Sequence, residues 1–112
     1  MPQLAVTIKK NSEIRTVLDK GVKASNQYCA IFFRKNETGV TRYAIVASKK
    51  VGNAVTRNKV RRRLRHILLG YPFSAVACCD IVILVRKSAA EAEFSELSNG
   101  IYRLLQRYRV SV

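Results

Sequence analysis

Apolar residues recur along this chain at two spacings, one typical of helices and the other of strands. Near the start they recur at i, i+3 and i+4, which predicts an amphipathic helix with an apolar stripe formed by Ile14, Val17 and Leu18. Asn11-Ser12 is expected to cap the start of this helix, and Gly21 is expected to end it.

Three strands are expected in the middle of the chain, after a polar connector at 23–27. Residues 28–34 are rich in aromatic and β-branched side chains, and 41–48 place alternate side chains on two faces. A turn sequence at 35–39 lies between these strands, so we expect a hairpin. The run 80–86 is almost continuously apolar, which predicts a central or parallel-paired strand covered on both faces.

Two more helices complete the pattern. Asn53 is a good N-cap, and the helix after it is expected to run from Ala54 to Leu69, where Gly70-Tyr71-Pro72 stops it. Ser88-x-x-Glu91 resembles a capping box before the last helix. The apolar stripe of that helix consists of Phe94, Leu97, Ile101, Leu104, Leu105 and Tyr108.

The length and composition agree with one folded unit. The chain has 112 residues, of which 48% are hydrophobic, enough for a buried core. We therefore expect one α+β domain over residues 1–112, in the order α-β-β-α-β-α, with residues 1–8 as a flexible N-terminal segment. No apolar run reaches the roughly 20 residues needed to span a bilayer, and the N-terminus does not resemble a signal peptide, so a cytoplasmic location is expected.

The charge is strongly positive and unevenly distributed. The chain has 21 Lys and Arg against 7 Asp and Glu, a formal net charge of +14. No acidic residue lies between Glu37 and Asp80, while the segment from Lys49 to Arg65 contains eight Lys or Arg. A charge of this size attracts polyanions, so nucleic acid is the first candidate partner and an anionic membrane surface the second.

Catalytic and metal-binding groups are sparse. Three cysteines, two of them adjacent and none in a Cys-x-x-Cys motif, indicate buried or half-buried free thiols: Cys29, Cys78 and Cys79. His66 is the only histidine, which argues against a zinc site, and the scattered carboxylates do not suggest a protein-borne metal site or acid–base pair. The chain is therefore expected to bind a polyanion without catalytic side chains or an organic cofactor of its own.

The basic helix has two distinct faces at about 100° per residue. One arc should face the sheet and consists of Val60, Leu64, Ile67 and Leu68. A neighbouring arc is basic and consists of Arg57, Asn58, Arg61, Arg62 and Arg65. Three of these arginines are spaced i, i+4 and i+8, an arrangement that opposes helix formation unless phosphates lie opposite. Before the helix, Gly52 permits a tight turn, and the free N–H groups of the helix start favour an anion.

Other ligands for this helix remain as alternatives. A solvated basic face needs no ligand at all. A membrane-surface helix is disfavoured, because the apolar arc is committed to the sheet and lacks Trp or Phe anchors. Reading of the DNA major groove by a helix-turn-helix is also disfavoured, because a strand rather than a helix precedes the basic helix. The pattern favours RNA.

The same segment closely resembles the signature of the bacterial ribonuclease P protein component. The matching residues are Lys49-Lys50-Val51-Gly52-Asn53-Ala54-Val55-x-Arg57-Asn58-Lys59-Val60-Arg61-Arg62-x-Leu64-Arg65. The resemblance extends to Lys9-Lys10-Asn11, Gly21, the expected hairpin and the strand at 80–86, and so covers about residues 8–108.

This resemblance implies a protein subunit of a ribonucleoprotein endoribonuclease whose RNA carries out the catalysis. Such a complex hydrolyses one phosphodiester of precursor tRNA to remove the 5′ leader, and its Mg²⁺ ions are bound mainly by the RNA. The implied fold is an α-β sandwich of the ribosomal protein S5 domain 2-like class with a left-handed βαβ crossover, whereas periodicity alone predicts the usual right hand. The implied partners are the catalytic RNA, in a 1:1 complex with a monomeric protein, and precursor tRNA.

The resemblance also assigns site residues, none of them catalytic. The positions matching the RNA-binding motif are Lys49, Lys50, Asn53, Arg57, Asn58, Lys59, Arg61, Arg62 and Arg65. The positions matching the cleft that holds the leader are Ile14, Leu18 and Phe32. Two of these three are aliphatic where the family's cleft is partly aromatic. Since stacking contributes roughly 1–3 kcal/mol per base, weaker leader binding is expected. Alternatively, Ile14 and Leu18 are core residues.

Two other classes of function stay open at this stage. The chain could be a stand-alone RNA-binding or ribosome-associated protein, or, less favoured, a nuclease that acts without RNA.

Overall fold

A computed structural model describes residues 6–71 and 78–111, with side chains described over 7–71 and 78–107. The strands are β1 (Val6–Thr7), β2 (Val22–Ser25), β3 (Cys29–Lys35), β4 (Arg42–Val46) and β5 (Cys79–Val85). The helices are α1 (Asn11–Lys20), α2 (Ala54–Leu69), α3 (Ser88–Glu91) and α4 (Phe94–Ser111), and a 3₁₀ turn occupies Lys49–Val51. The predicted α+β class is confirmed.

The five strands form one sheet in the order β1-β4-β5-β3-β2. The central strand, β5, pairs antiparallel with β3 and parallel with β4. Its side chains alternate between two buried faces, as the continuous apolar run predicted: Ile81 and Ile83 on one face, Val82 and Leu84 on the other. Because β4 and β5 are parallel, α2 forms the crossover between them. The left hand of this crossover stays a prediction.

Two expectations about the sheet are wrong. Strands β3 and β4 do not form a hairpin, because β5 lies between them and pairs with both. The polar stretch 23–27 is not only a connector, because β2 forms an edge strand antiparallel to β3. An edge strand with one covered face needs little apolar sequence, and Val22 at its start is 64% exposed.

The N-terminal region is more ordered than the sequence suggested. Val6 and Thr7 pair with β4, and Ile8 is buried with its N–H bonded to the Tyr43 carbonyl at 2.7 Å. The expected flexible segment therefore excludes residues 6–8, and its first five residues lie outside the described part.

The N-cap of helix α1 lies one residue before the expected cap. Lys10 occupies the N-cap position without a side-chain cap, so the expected Asn11-Ser12 cap is wrong. Gly21 does end the helix, as its C-cap residue. Glycine is needed there, because a Cβ would lie 2.5 Å from the Val17 carbonyl oxygen and 2.8 Å from that of Phe33.

The sheet separates two cores of unequal size. The larger one lies under α2 and α4, and its helical members include Val60, Leu64, Leu97 and Ile101. The smaller one lies under α1 and consists of Ile8, Val17, Ala44 and Val82. The fold is thus a sandwich in which α1 covers one face of the sheet and the other helices cover the opposite face.

The last helix departs from its expected start. Ser88 does not form a capping box, because Lys87 is the N-cap of the short α3 and the Ser88 hydroxyl donates to the Gln27 carbonyl at 2.5 Å. Phe94 begins α4 and is 42% exposed rather than buried. The next four residues of the expected stripe are buried: Leu97, Ile101, Leu104 and Leu105. The Tyr108 side chain lies outside the described residues.

A polar network fixes α1 to the sheet. Asp80, only 7% exposed, accepts from Arg42 Nε at 2.8 Å and Nη2 at 2.7 Å, and from Asn36 Nδ2 at 2.7 Å. Arg42 also forms an ion pair with Glu13 of α1 at 2.9 Å. These bonds join α1, β4, β5 and the β3–β4 loop.

Candidate nucleic-acid interface

Three local features position the start of α2: a 3₁₀ turn, a glycine with positive φ and an N-cap. The 3₁₀ turn Lys49–Val51 buries its valine and leaves both lysines exposed. Gly52 then adopts φ +153°, and a Cβ at this position would lie 2.9 Å from the Thr56 Cγ2 atom, so glycine is required. Asn53 Oδ1 accepts the Thr56 N–H at 2.9 Å, which confirms the predicted N-cap. The helix follows over the predicted span.

The basic row of α2 changes in depth along the helix. The predicted apolar arc is buried, and Arg57 lies beside it, three residues before Val60 and half-buried itself. Because each step of four residues advances about 40° around the helix, the row turns outward from the half-buried Arg57 and Arg61 to the exposed Arg65. The three guanidiniums are therefore not equivalent.

Arg61 is held by the protein itself. Its Nη1 donates to Asn58 Oδ1 at 3.1 Å, and its Nη2 lies 3.5 Å from the Ala47 carbonyl oxygen at the end of β4. The side chain therefore ties α2 to the sheet while part of its charge stays at the surface.

Arg57, unlike Arg61, has a buried hydrogen-bond donor without an acceptor. Its Nε is buried and donates no hydrogen bond to any described group. Leaving a buried donor unpaired costs about 1–3 kcal/mol. An acceptor from outside the protein would remove that cost.

Among the described residues, no carboxylate forms an ion pair with the basic face. All seven Asp and Glu of the chain lie among the described residues. Within that part, the salt bridges join Arg42 to Glu13 and Asp80, and none involves α2. The remaining assigned residues are all exposed: Lys49, Lys50, Asn53, Asn58, Lys59, Arg62 and Arg65.

One arginine of the basic segment belongs elsewhere. Arg63 Nη2 donates to the Ala92 carbonyl at 2.7 Å, and its guanidinium lies 5.9 Å from the Phe94 ring centroid. The ring of the exposed His66 packs against the same ring, with the two centroids 5.9 Å apart. Arg63 thus connects α2 to the α3–α4 junction and is not part of the basic face.

A second candidate surface lies between α1 and the sheet. Ile14, Leu18 and Phe32 are half-buried and pack against the smaller core. They are thus neither fully core nor fully exposed. Val46 and Leu84 share this environment and are cross-strand neighbours in the β4–β5 register.

Sequence reasoning missed part of this apolar cleft. Lys23 Nζ lies 5.8 Å from the Phe32 ring centroid and brings a cation to the cleft. Lys23 was expected in a connector, and only the pairing of β2 with β3 places it opposite Phe32.

The three cysteines are buried free thiols, as predicted. Burial raises the pKa of Cys29 to about 12 and, together with the neighbouring Asp80 charge, that of Cys79 to about 12. Neutral thiols are poor nucleophiles, which leaves Cys29 and Cys79 without the properties of a catalytic residue.

Among the described residues, no three His, Cys, Asp or Glu side chains come together in an arrangement that could hold a metal ion. No helix in the same part is both long and apolar enough to cross a membrane.

Known proteins are similar to this chain in sequence and in fold. The ribonuclease P protein component of Clostridioides difficile strain 630 is 35% identical over 106 residues, which cover 94% of this chain and 93% of the relative. That of Mycoplasma capricolum is 36% identical over 104 residues, covering 91% and 94%.

Solved structures agree. A mutant Staphylococcus aureus RNase P protein, described as defective in mRNA degradation, superposes with a TM-score of 0.83 at 28% identity, covering 92% of this chain and 87% of that one. The Thermotoga maritima RNase P protein gives a TM-score of 0.80 at 27% identity, covering 90% and 96%. A sequence model of the family described as Ribonuclease P matches residues 3–109, and this chain therefore belongs to the ribonuclease P protein family.

Proposed function

We propose that this chain is the protein subunit of a ribonuclease P ribonucleoprotein that removes the 5′ leader from precursor tRNA. Its basic face binds the catalytic RNA, and the cleft between α1 and the sheet binds the leader. The observation that carries this proposal is the α2 face, whose cations have no acidic partner among the described residues, in a chain of this family.

The basic face binds by electrostatics and by hydrogen bonds. Each phosphate that a Lys or Arg neutralises releases condensed counterions, which favours binding at low salt. A phosphate oxygen also supplies the acceptor that the buried Arg57 Nε lacks. Exposed Arg62 and Arg65 offer planar forks that suit bidentate phosphate contacts.

The cleft suits a single strand better than a duplex. Half-buried apolar side chains accept base faces without reading base edges, so binding there should tolerate different leader sequences. Lys23 at the cleft offers a cation to the leader backbone. Because mature tRNA lacks the leader, contacts in this cleft raise the affinity for the precursor alone.

The chemistry is assigned to the RNA subunit. When bound, Mg²⁺ activates the attacking water, and the RNA is proposed to supply most of its ligands. The protein acts on that site indirectly, because neutralised phosphates repel one another less and the folded RNA then needs less Mg²⁺.

A turnover assay tests the proposal. The chain combined with a bacterial ribonuclease P RNA should cleave precursor tRNA at a low Mg²⁺ concentration where that RNA alone is nearly inactive, and the chain alone should not cleave. Cleavage by the chain alone would contradict catalysis by RNA. Binding to RNA without any stimulation of cleavage would instead support a stand-alone RNA-binding protein.

A further inference from the structure

A polar cleft lies between α4 and the turn that joins β2 to β3, away from the basic face of α2. Its volume is about 420 Å³, within the range of small-ligand sites. Its lining includes Asn26, Tyr28, Asn99, Gly100, Arg103 and Arg107. We call it the α4 cleft. It lies on the α4 side of the sheet, whereas the leader cleft lies on the α1 side.

The wall formed by the turn is held in place. Asn26 Oδ1 accepts the N–H groups of Tyr28 at 2.8 Å and Cys29 at 3.0 Å. Arg86 Nη1 donates to the Asn26 carbonyl at 2.9 Å. These bonds fix the Asn26 amide and therefore determine where its Nδ2 lies.

That Nδ2 is directed at α4. A Cβ on Gly100 would lie 2.9 Å from Asn26 Nδ2 and 3.3 Å from the Tyr28 ring, so only glycine lets the amide approach the helix this closely. The Nδ2 group donates no hydrogen bond to any described atom. The cleft therefore has a fixed donor at the contact between its two walls.

Cations add to this donor. Arg103 and Arg107 are spaced i, i+4 on α4, and both line the cleft. Arg103 is exposed and forms no hydrogen bond or ion pair within the described residues. Glu96, the one carboxylate among the lining residues, already accepts from the Tyr28 hydroxyl at 3.3 Å.

The helix dipole does not account for Arg103. Its stabilisation of cations is confined to the last turn of a helix, and α4 ends at Ser111, eight residues beyond Arg103. Tyr28 adds a half-buried ring and Leu104 an apolar floor. Cations, amide donors and an aromatic ring together match the chemistry of a nucleotide, with phosphate, base and sugar.

We propose that the α4 cleft binds a phosphate of single-stranded RNA, with Arg103 on the phosphate and Asn26 and Asn99 donating to the same nucleotide. It would be a third RNA contact, separate from the α2 face and from the leader cleft. This inference rests on the proposed function. The strand belongs either to the catalytic RNA or to the precursor tRNA, since both offer the same chemistry.

Salt-dependent binding distinguishes these two sources. In one arm the chain binds the catalytic RNA alone, and in the other the assembled holoenzyme binds precursor tRNA, each over 50–200 mM KCl. Arg103→Ala should lower the slope of log K against log salt by about 0.7–0.9 in the arm whose RNA occupies the cleft. Arg103→Lys, which keeps the charge, should retain most of that slope.

The matched control is Lys20→Ala, which removes one exposed cation from the end of α1 that forms no ion pair with any described residue. It should change neither arm. An unchanged slope for Arg103→Ala in both arms, or an equal decrease for Lys20→Ala, would overturn the inference. Thermal unfolding confirms that each variant is folded.

Arg65→Ala separates failure of this inference from failure of the proposed function. If Arg65→Ala lowers the slope and Arg103→Ala does not, the α2 face binds RNA and the α4 cleft does not. If neither variant changes any slope, both proposals fail.

Discussion

Replacement of Arg42 by Ala should strongly destabilise the fold. Asp80 is nearly buried and accepts two hydrogen bonds from the Arg42 guanidinium. Without Arg42, only the Asn36 amide would remain bonded to this carboxylate. Removing one partner of a buried ion pair costs about 3–5 kcal/mol, a large part of the roughly 5–15 kcal/mol that holds a domain folded.

The hydrogen bonds with Asp80 raise the pKa of Arg42 above its ordinary value. Arg42 therefore stays charged at every pH at which the protein is studied, and the loss should be measurable at neutral pH. Guanidinium unfolding followed by circular dichroism gives the free energy of unfolding for each variant.

A neighbouring arginine provides the control. Arg34 is paired with Asp80 in the β3–β5 register and is half-buried, but no hydrogen bond joins the two side chains. Arg34→Ala should cost less than about 1 kcal/mol. A double-mutant cycle with Asp80→Ala should give a coupling energy of about 2–3 kcal/mol for Arg42. Equal costs for Arg42→Ala and Arg34→Ala would refute the reasoning.

Three more outcomes are expected. Arg65→Ala should lower the slope of log K against log salt for RNA binding by about 0.7–0.9 without changing the Tm of the protein. Arg61→Ala should lower both the slope and the Tm, because the Arg61 side chain also contacts Asn58 and the Ala47 carbonyl oxygen. Equal Tm values for the two variants would contradict this anchoring role of Arg61. If Leu18 lines the cleft, Leu18→Phe should tighten leader binding in a gel-shift assay. A decrease of about 1–3 kcal/mol in the free energy of unfolding, without tighter binding, would instead place Leu18 in the core. Since the pKa values of Cys29 and Cys79 are about 12, only about one part in ten thousand of each should be thiolate at pH 8. Both should therefore resist alkylation by iodoacetamide until the protein unfolds, as mass spectrometry can show. Rapid labelling of the native protein would contradict their burial.

Local sequence signals were sufficient for α2. The cap at Asn53, the glycine before it and the apolar arc all act within a few residues, and each was predictable without knowledge of the rest of the fold. The charged face followed from the same periodicity. The periodicity did not show that Arg57 Nε is buried without an acceptor or that Arg61 lies close to the Ala47 carbonyl oxygen, because both depend on packing against the rest of the fold.

Pairings between distant segments were not predictable. The hairpin expectation failed because β5, far along the chain, provides partners for both β3 and β4. The strand β2 was missed because an edge strand is defined by its neighbour more than by its own sequence. For the same reason Lys23, Val46 and Leu84 could not be assigned to the cleft before the register was known.

The central claim is that the protein assists the RNA through charge and position while its side chains take no part in the chemical step. The most direct test is the single-turnover rate of precursor cleavage by holoenzyme carrying Arg57→Ala, Arg62→Ala and Arg65→Ala together, measured over a range of Mg²⁺ concentrations. The account predicts a severe loss at low Mg²⁺ that is restored as Mg²⁺ rises, because the metal ion replaces the lost positive charge. A loss that persists at saturating Mg²⁺ and saturating protein would contradict it, since that result would place a protein side chain in the chemical step.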